Sequence, residues 1–257
     1  MFGQRGWEAG GWLGASHYFG DLNTNFDISS PGLAGGLIAR FNFDDRICLK
    51  FSGNIANVSG DDAKSNNAFE RARNLSFRTV VYEGTAQLEF NFLPYVHGSP
   101  DEYYTPYLFA GFTVLNFNPQ AQLNGEWYDL RPLGTEGQFR GEEYYSTTAG
   151  FAYGGGFKID LSYELSLNFE IAGRYLSTDY LDDVSKSYPD KGDLESLRGP
   201  IAVEFSDRSI IIPGVNEGDI GDEGRQRGSN QSNDSYFMIG IGLVYYFGDL
   251  KCPPYSR

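Results

Sequence analysis

The chain has 257 residues, with 20 Lys+Arg against 34 Asp+Glu, and its formal net charge of −14 argues against nucleic-acid binding and against a basic grip on anionic headgroups. A mean hydropathy of −0.39, with no apolar run of ~18 residues, excludes transmembrane helices, yet 33 Gly, 18 Tyr and 20 Phe suit a membrane barrel, whose loops and inner strand faces are polar. Two cysteines, Cys48 and Cys252, are too few for a disulfide framework.

Residues Met1 to Gly6 carry neither a basic n-region nor an apolar h-region, so the numbering is expected to begin at a mature, trimmed or mis-assigned N-terminus. Period-two alternation then predicts eight strands, over about 7–19, 33–43, 46–58, 77–92, 105–117, 146–161, 165–178 and 235–247. In the second, Leu33, Leu37, Ala39, Phe41 and Phe43 share a face opposite Arg40 and Asn42. In the fourth, Val80, Tyr82, Ala86, Leu88, Phe90 and Phe92 lie opposite Thr79, Glu83, Thr85, Gln87, Glu89 and Asn91. The fifth, from Tyr107 to Phe117, is apolar on both faces and leaves its orientation open. The sixth sets Phe151, Tyr153, Phe157, Ile159 and Leu161 against Gly154, Gly156, Lys158 and Asp160, and the seventh sets Leu165, Leu167, Phe169, Ile171 and Tyr175 against Asn168, Glu170 and Arg174. In the eighth, Phe237, Ile239, Ile241, Leu243, Tyr245 and Phe247 form one large apolar face with aromatics at both ends, the way a strand meets lipid.

A soluble sandwich also alternates, but its strands average about half this length. The connections here alternate as well: 44–45, 94–104 and 162–164 are short, while 20–32, 59–76, 118–145 and 179–234 are long. Periplasmic turns at one end and external loops at the other predict that asymmetry. The expected fold is therefore all-β: an eight-stranded antiparallel up-and-down transmembrane β-barrel spanning 1–257, in the outer membrane of a Gram-negative bacterium and in contact with its lipid. Gly35-Gly36 and Gly154-Gly155-Gly156 fit sharp strand curvature; with no G-x-x-x-x-G-K and no following helix they do not read as a nucleotide loop, and no cofactor is implied.

Turned inward, the polar faces carry Glu8, Arg40, Lys50, Glu83, Glu89, Lys158, Asp160, Glu170 and Arg174. Charges of both signs in a lumen that eight strands leave just wide enough for side chains should pair into a salt-bridged plug. Catalytic chemistry is thin. The two histidines are His17 and His97; His17 adjoins Ser16, but by parity one faces lipid and the other the lumen, so a hydroxyl–imidazole pair is not expected. No His/Cys metal cluster occurs. Loop 179–234 holds 13 acidic and 6 basic residues. Within it, Ile201–Phe205 and Ser209–Ile212 read as a hairpin projecting beyond the membrane, and Asp219–Glu223 reads as a solvated acidic cluster or a divalent-cation site.

The opening run Trp7-Glu8-Ala9-Gly10-Gly11-Trp12-Leu13-Gly14-Ala15-Ser16-His17-Tyr18-Phe19-Gly20-Asp21-Leu22-Asn23 resembles the start of the PorG-type outer-membrane barrels of Bacteroidetes. Arg40-Phe41-Asn42, Pro106-Tyr107-Leu108-Phe109-Ala110-Gly111 and the closing Tyr245-Tyr246-Phe247-Gly248 echo it. The resemblance implies a non-catalytic accessory barrel of the type IX protein secretion system, in a phylum where this system can be linked to gliding motility. Its partners would be a periplasmic ring lipoprotein and that lipoprotein's ring partner. The long 179–234 loop leaves room for an extracellular partner. The alternatives are a stand-alone structural barrel of the OmpA kind and a lipid-A-modifying rim enzyme.

On this reading the partner surface is the periplasmic rim: Asp44, Asp45, Tyr95, His97, Asp101, Glu102, Tyr103, Tyr104, Tyr163, Lys251, Cys252 and Tyr255, including a 94–104 turn that is long for that side and rich in aromatics. Cys48 and Cys252 both fall at the periplasmic end, in an oxidising compartment. They could bridge to each other, pinning the tail 248–257 beneath the barrel, or Cys252 could bridge to a ring protein.

Overall fold

Alternation at period two is realised as eight long strands in the computed structural model, which describes residues 5–25 and 27–248. They are β1 (Gly6–Phe19), β2 (Gly32–Asn42), β3 (Ile47–Asp61), β4 (Ser76–Asn91), β5 (Tyr104–Asn116), β8 (Thr147–Asp160), β9 (Leu165–Leu176) and β10 (Ser235–Tyr246), with β6 (Gln120–Leu123) and β7 (Glu126–Asp129) forming a small hairpin outside the ring. Each barrel strand pairs antiparallel with its neighbours in the order β3-β2-β1-β10-β9-β8-β5-β4, and β3–β4 pairing closes the ring. Closure removes every edge from the eight-stranded ring, which a span through lipid requires. Among the described residues no helix is long and apolar enough to cross a membrane.

The outward face is what lipid demands. Leu13 is 71% exposed, Leu37 73% and Phe112 74%, in a band that also holds Leu33, Val114, Ile171 and Ile241. Trp7, Phe43, Phe92, Tyr104, Tyr163, Tyr245 and Phe247 ring the end with the short turns, and Phe19, Tyr175 and Phe237 mark the opposite end. Such a belt is untenable in water but ordinary between two interfaces.

The inner register aligns polar partners. Glu8 stands opposite Arg40, Arg40 opposite Lys50, and Lys50 opposite Gln87, so four strands deliver polar side chains to one level of the lumen. Towards the long-loop end the interior turns apolar: Ala34, Ala56, Val81, Leu115 and Met238 merge with Leu22, Leu75, Leu130, Leu181, Val184 and Phe205 from the loops into one core. The long loops therefore form a packed cap over the barrel.

Among the described residues three short α-helices contribute to that cap. Asn67 caps α1 (Ala68–Arg73) by accepting from Phe69 N, and Asp190 caps α2 (Lys191–Arg198) by accepting from Asp193 N. Gly199, at φ 92°, turns the chain directly into α3 (Pro200–Ser206), where Pro200 occupies the first helical turn. This corrects the expectation of a hairpin over 201–212: Ile201 and Phe205, four apart, share a helical face, and Phe205 is buried in the cap core. Loop 179–234 is correspondingly a roof and not a projection, for Leu181 to Ser185 are all buried. Within the acidic stretch expected either to be solvated or to hold a cation, Asp219 pairs at 3.4 Å with Lys191, and among the described residues no group of three or more His, Cys, Asp or Glu could hold a metal ion.

Candidate functional site

The lower lumen is filled by a charge network. Arg40 lies between two carboxylates, 2.6 Å from Glu8 and 2.8 Å from Glu89, with all three side chains 0% exposed. Glu89 also takes Lys158 at 2.6 Å and Lys50 at 3.7 Å, and Lys50 continues to Glu170, which accepts from the Tyr107 hydroxyl at 2.7 Å. Asn42 donates to Glu8 at 2.6 Å, and Lys158 donates to Asn91 at 3.1 Å. Aromatic faces supply the remaining contacts: the Lys158 ammonium stands 4.6 Å over the Tyr107 ring, and Lys50 lies 5.7 Å from that of Phe109. This settles the fifth predicted strand, whose second apolar face is the floor beneath two ammonium groups.

One expected network is in fact two. Nearer the cap, Glu83 accepts from Arg174 at 2.8 Å, from Asn54 at 2.6 Å and from the Tyr236 hydroxyl. Trp12 joins this cluster by donating to Asn54 at 2.7 Å, its indole lying so close over Gly36 and Gly240 that a Cβ at either would stand 2.8 Å or less from a ring atom. A small cavity bordered by Trp12, Ser52, Asn168, Glu170 and Met238 separates the two clusters.

The short-turn end closes differently from expectation. Tyr95 and His97 are buried inside the mouth, not displayed on the rim. His97 Nε2 lies 3.1 Å from Glu8 and its Nδ1 3.1 Å from Asp160, while the Tyr95 hydroxyl donates to Asp160. The His97 ring stacks on Tyr246 at 4.4 Å. Burial opposes the charged imidazole, but the hydrogen bonds to Asp160 and Glu8 outweigh it and its pKa is raised to about 9. This accounts for the length of the 94–104 turn, which supplies the plug's lower layer. The rim surface narrows to the half-buried Asp44 and Asp45 and the exposed Asp101, Glu102, Tyr103, Tyr104 and Tyr163; Lys251, Cys252 and Tyr255 lie outside the described residues.

Cys48 carries a free, fully buried thiol facing the lumen, 3.8 Å from Lys158 Nζ and 3.7 Å from Asn91 Nδ2. The other half of the bridge expected at this cysteine, Cys252, lies outside the described residues. At the opposite end Ser16 donates to Asn57 O at 2.5 Å, whereas His17 stacks on Phe237 at 4.8 Å on the lipid side, so the pair is split by the strand as parity predicts.

These features define the class: a small membrane-spanning β-barrel of the outer-membrane type, with a filled lumen. The chain belongs to the family described as Domain of unknown function (DUF6089), which matches residues 4–215. No curated protein matches it in sequence. Among solved structures it is similar to Neisserial surface protein A (11% identity, TM-score 0.46, covering 94% of this chain and 97% of that one). It is similar too to the attachment invasion locus protein Ail of Yersinia pestis, solved with the heparin analogue sucrose octasulfate (10% identity, TM-score 0.43, 96% and 100%). A third is the outer membrane protein OprG from Pseudomonas aeruginosa (10% identity, TM-score 0.42, 96% and 98%).

Proposed function

We propose that the chain is a non-catalytic outer-membrane barrel that anchors a periplasmic assembly, and that this assembly is the ring of the type IX secretion machinery in a Bacteroidetes host. The carrying observation is the blocked lumen: the side chains of Arg40, Glu89 and Lys158, which meet across it, are all 0% exposed. A barrel so filled offers no route to a protein or a solute, which leaves its rim and cap as working surfaces. The exposed Asp101, Glu102, Tyr103, Tyr104 and Tyr163 support a contact at the periplasmic rim, with acidic and aromatic groups side by side. The secretion-system assignment rests on the resemblance of the opening run from Trp7 to Asn23.

Two measurements test it. Planar-bilayer recording of the purified barrel should show no steady conductance, and stable openings would favour a transport role. Affinity purification from the native host should return the ring lipoprotein and its partner. Combined Asp101→Lys, Glu102→Lys and Tyr163→Ser substitutions, all on exposed side chains, should lower that recovery by about tenfold, as loss of an interface hot spot does, with the barrel still inserted. Recovery of the barrel alone would favour the stand-alone structural reading, and recovery of a lipid hydrolase activity the rim enzyme.

A further inference from the structure

Both ends of loop 179–234 converge on one hydroxyl group. Tyr18, buried at the cap end of β1, lies 2.5 Å from Asp182 Oδ2 and 2.9 Å from Asp234 Oδ1. Asp182 and Asp234 are themselves buried. Their other oxygens are occupied: Asp182 Oδ1 accepts from Val184 N and Asp234 Oδ2 from Leu181 N, each at 2.9 Å. A phenol has a single proton and can donate to one of its two neighbours. The second contact is a hydrogen bond only if that carboxyl is protonated and donates to the phenol oxygen. The arrangement therefore stores one acidic proton between the start and the end of the loop.

We propose that Tyr18, Asp182 and Asp234 form a proton-operated latch that holds the long extracellular loop shut over the barrel and frees it when the medium turns alkaline. The surroundings favour the proton. Burial and neighbouring carboxylates push Asp182 and Asp234 well above the usual carboxylate range, Asp21 acting on both and Asp179 on Asp234. Asp179 is itself pushed up to about 7, mainly by burial with Asp21 and Glu136 contributing, and Asp21 to about 6. The two guanidinium groups near Asp21 are already engaged: Arg73 is held by both oxygens of Asp62, at 2.7 and 2.8 Å, and Arg227 lies 3.4 Å from Glu136 and 3.8 Å from Asp183. Among the described residues no Lys or Arg is paired with Asp182 or Asp234 in place of the proton. Gly20 fits the same geometry, since a Cβ there would lie 2.0 Å from Asp234 Oδ1 and 2.1 Å from the Tyr18 oxygen.

Opening follows from deprotonation. With both carboxylates ionised, one keeps its backbone N–H but loses the phenol while buried, and the loop end must lift to rehydrate it. In Asp182→Asn the amide keeps a donor towards Tyr18 at every pH, leaving the phenol proton free to serve an ionised Asp234. Hydrogen exchange of the full chain in lipid vesicles, corrected for intrinsic rates, reads this out. Protection of amides 179–234 in the wild type should fall by about tenfold or more between about pH 6 and about pH 9 while the strands stay protected. In Asp182→Asn, or in Asp234→Asn should the first fail to insert, the fall should shrink to about twofold or less. A flat wild-type profile, or a fall in both variants equal to that of the wild type, overturns the latch.

Discussion

Arg40→Met is expected to destabilise the barrel by about 3–5 kcal/mol, the range for removing one partner of a buried ion pair. The guanidinium is 0% exposed and is the link between Glu8 and Glu89, two carboxylates that are also 0% exposed. Glu89 retains Lys158 and Lys50, whereas Glu8 retains Asn42 and His97. Two negative charges then share the lumen with fewer cations. Methionine fills the stem's volume, which isolates the loss of charge from a loss of packing. Urea unfolding in lipid vesicles, followed by the heat-dependent mobility shift of the folded barrel on gels, measures the change. Adding Glu8→Gln to Arg40→Met should recover about 1 kcal/mol or more, since one uncompensated charge disappears. A single variant within about 0.5 kcal/mol of wild type would mean that the network fills space without bearing on stability.

The barrel itself was legible because closure and lipid impose one rule on every strand. The predicted 33–43 and 235–247, for example, were found as Gly32–Asn42 and Ser235–Tyr246. Alternation also assigned the inward charges, because register carries parity from strand to strand once one residue is placed. What it could not show was which charges meet. Glu83 and Arg174 are 91 positions apart and form their own cluster, and nothing in local pattern separates them from Glu89 or Glu170. His97 was misplaced for a related reason: a turn residue has no parity, and only its packing on Tyr246 between Glu8 and Asp160 defines it.

Other elements do carry a local signal. Asn124-Gly125, at φ 51° and 89°, makes the tight turn of the β6–β7 hairpin, a strong sequence signal inside a stretch read as plain loop. Gly199-Pro200 followed by Ile201 and Phe205 is a helix start, because proline at the first turn favours a helix over the expected strand. The inward tyrosines were hidden by their greasiness: Tyr107 and Tyr236 each spend a ring on packing and a hydroxyl on Glu170 or Glu83. In a lumen this narrow, an aromatic with a polar tip serves both lipid-like filler and salt-bridge layer.

The lower plug should be sensitive to alkali, and the sign follows from His97. Its folded pKa, about 9, lies above the ordinary value of 6.5, so the folded state holds the imidazole proton more tightly than the unfolded chain does. The resulting stabilisation is complete below about pH 6.5 and is lost as pH rises through about 9, amounting to about 3 kcal/mol at most by proton linkage. The structural cause is charge balance: Glu8 and Asp160 meet the ring from two sides, and neutral imidazole can donate to only one of them. The cap acids drift in the same direction with pH, so total stability alone does not isolate His97. His97→Gln removes the titration while keeping a side-chain amide in the mouth. Unfolding free energies of wild type and His97→Gln in vesicles, compared between about pH 6 and about pH 10, should differ most at the acid end and converge at the alkaline end. Curves that run parallel across that range would show that His97 does not carry its charge in the folded barrel, and that Glu8 is neutralised by Arg40 alone.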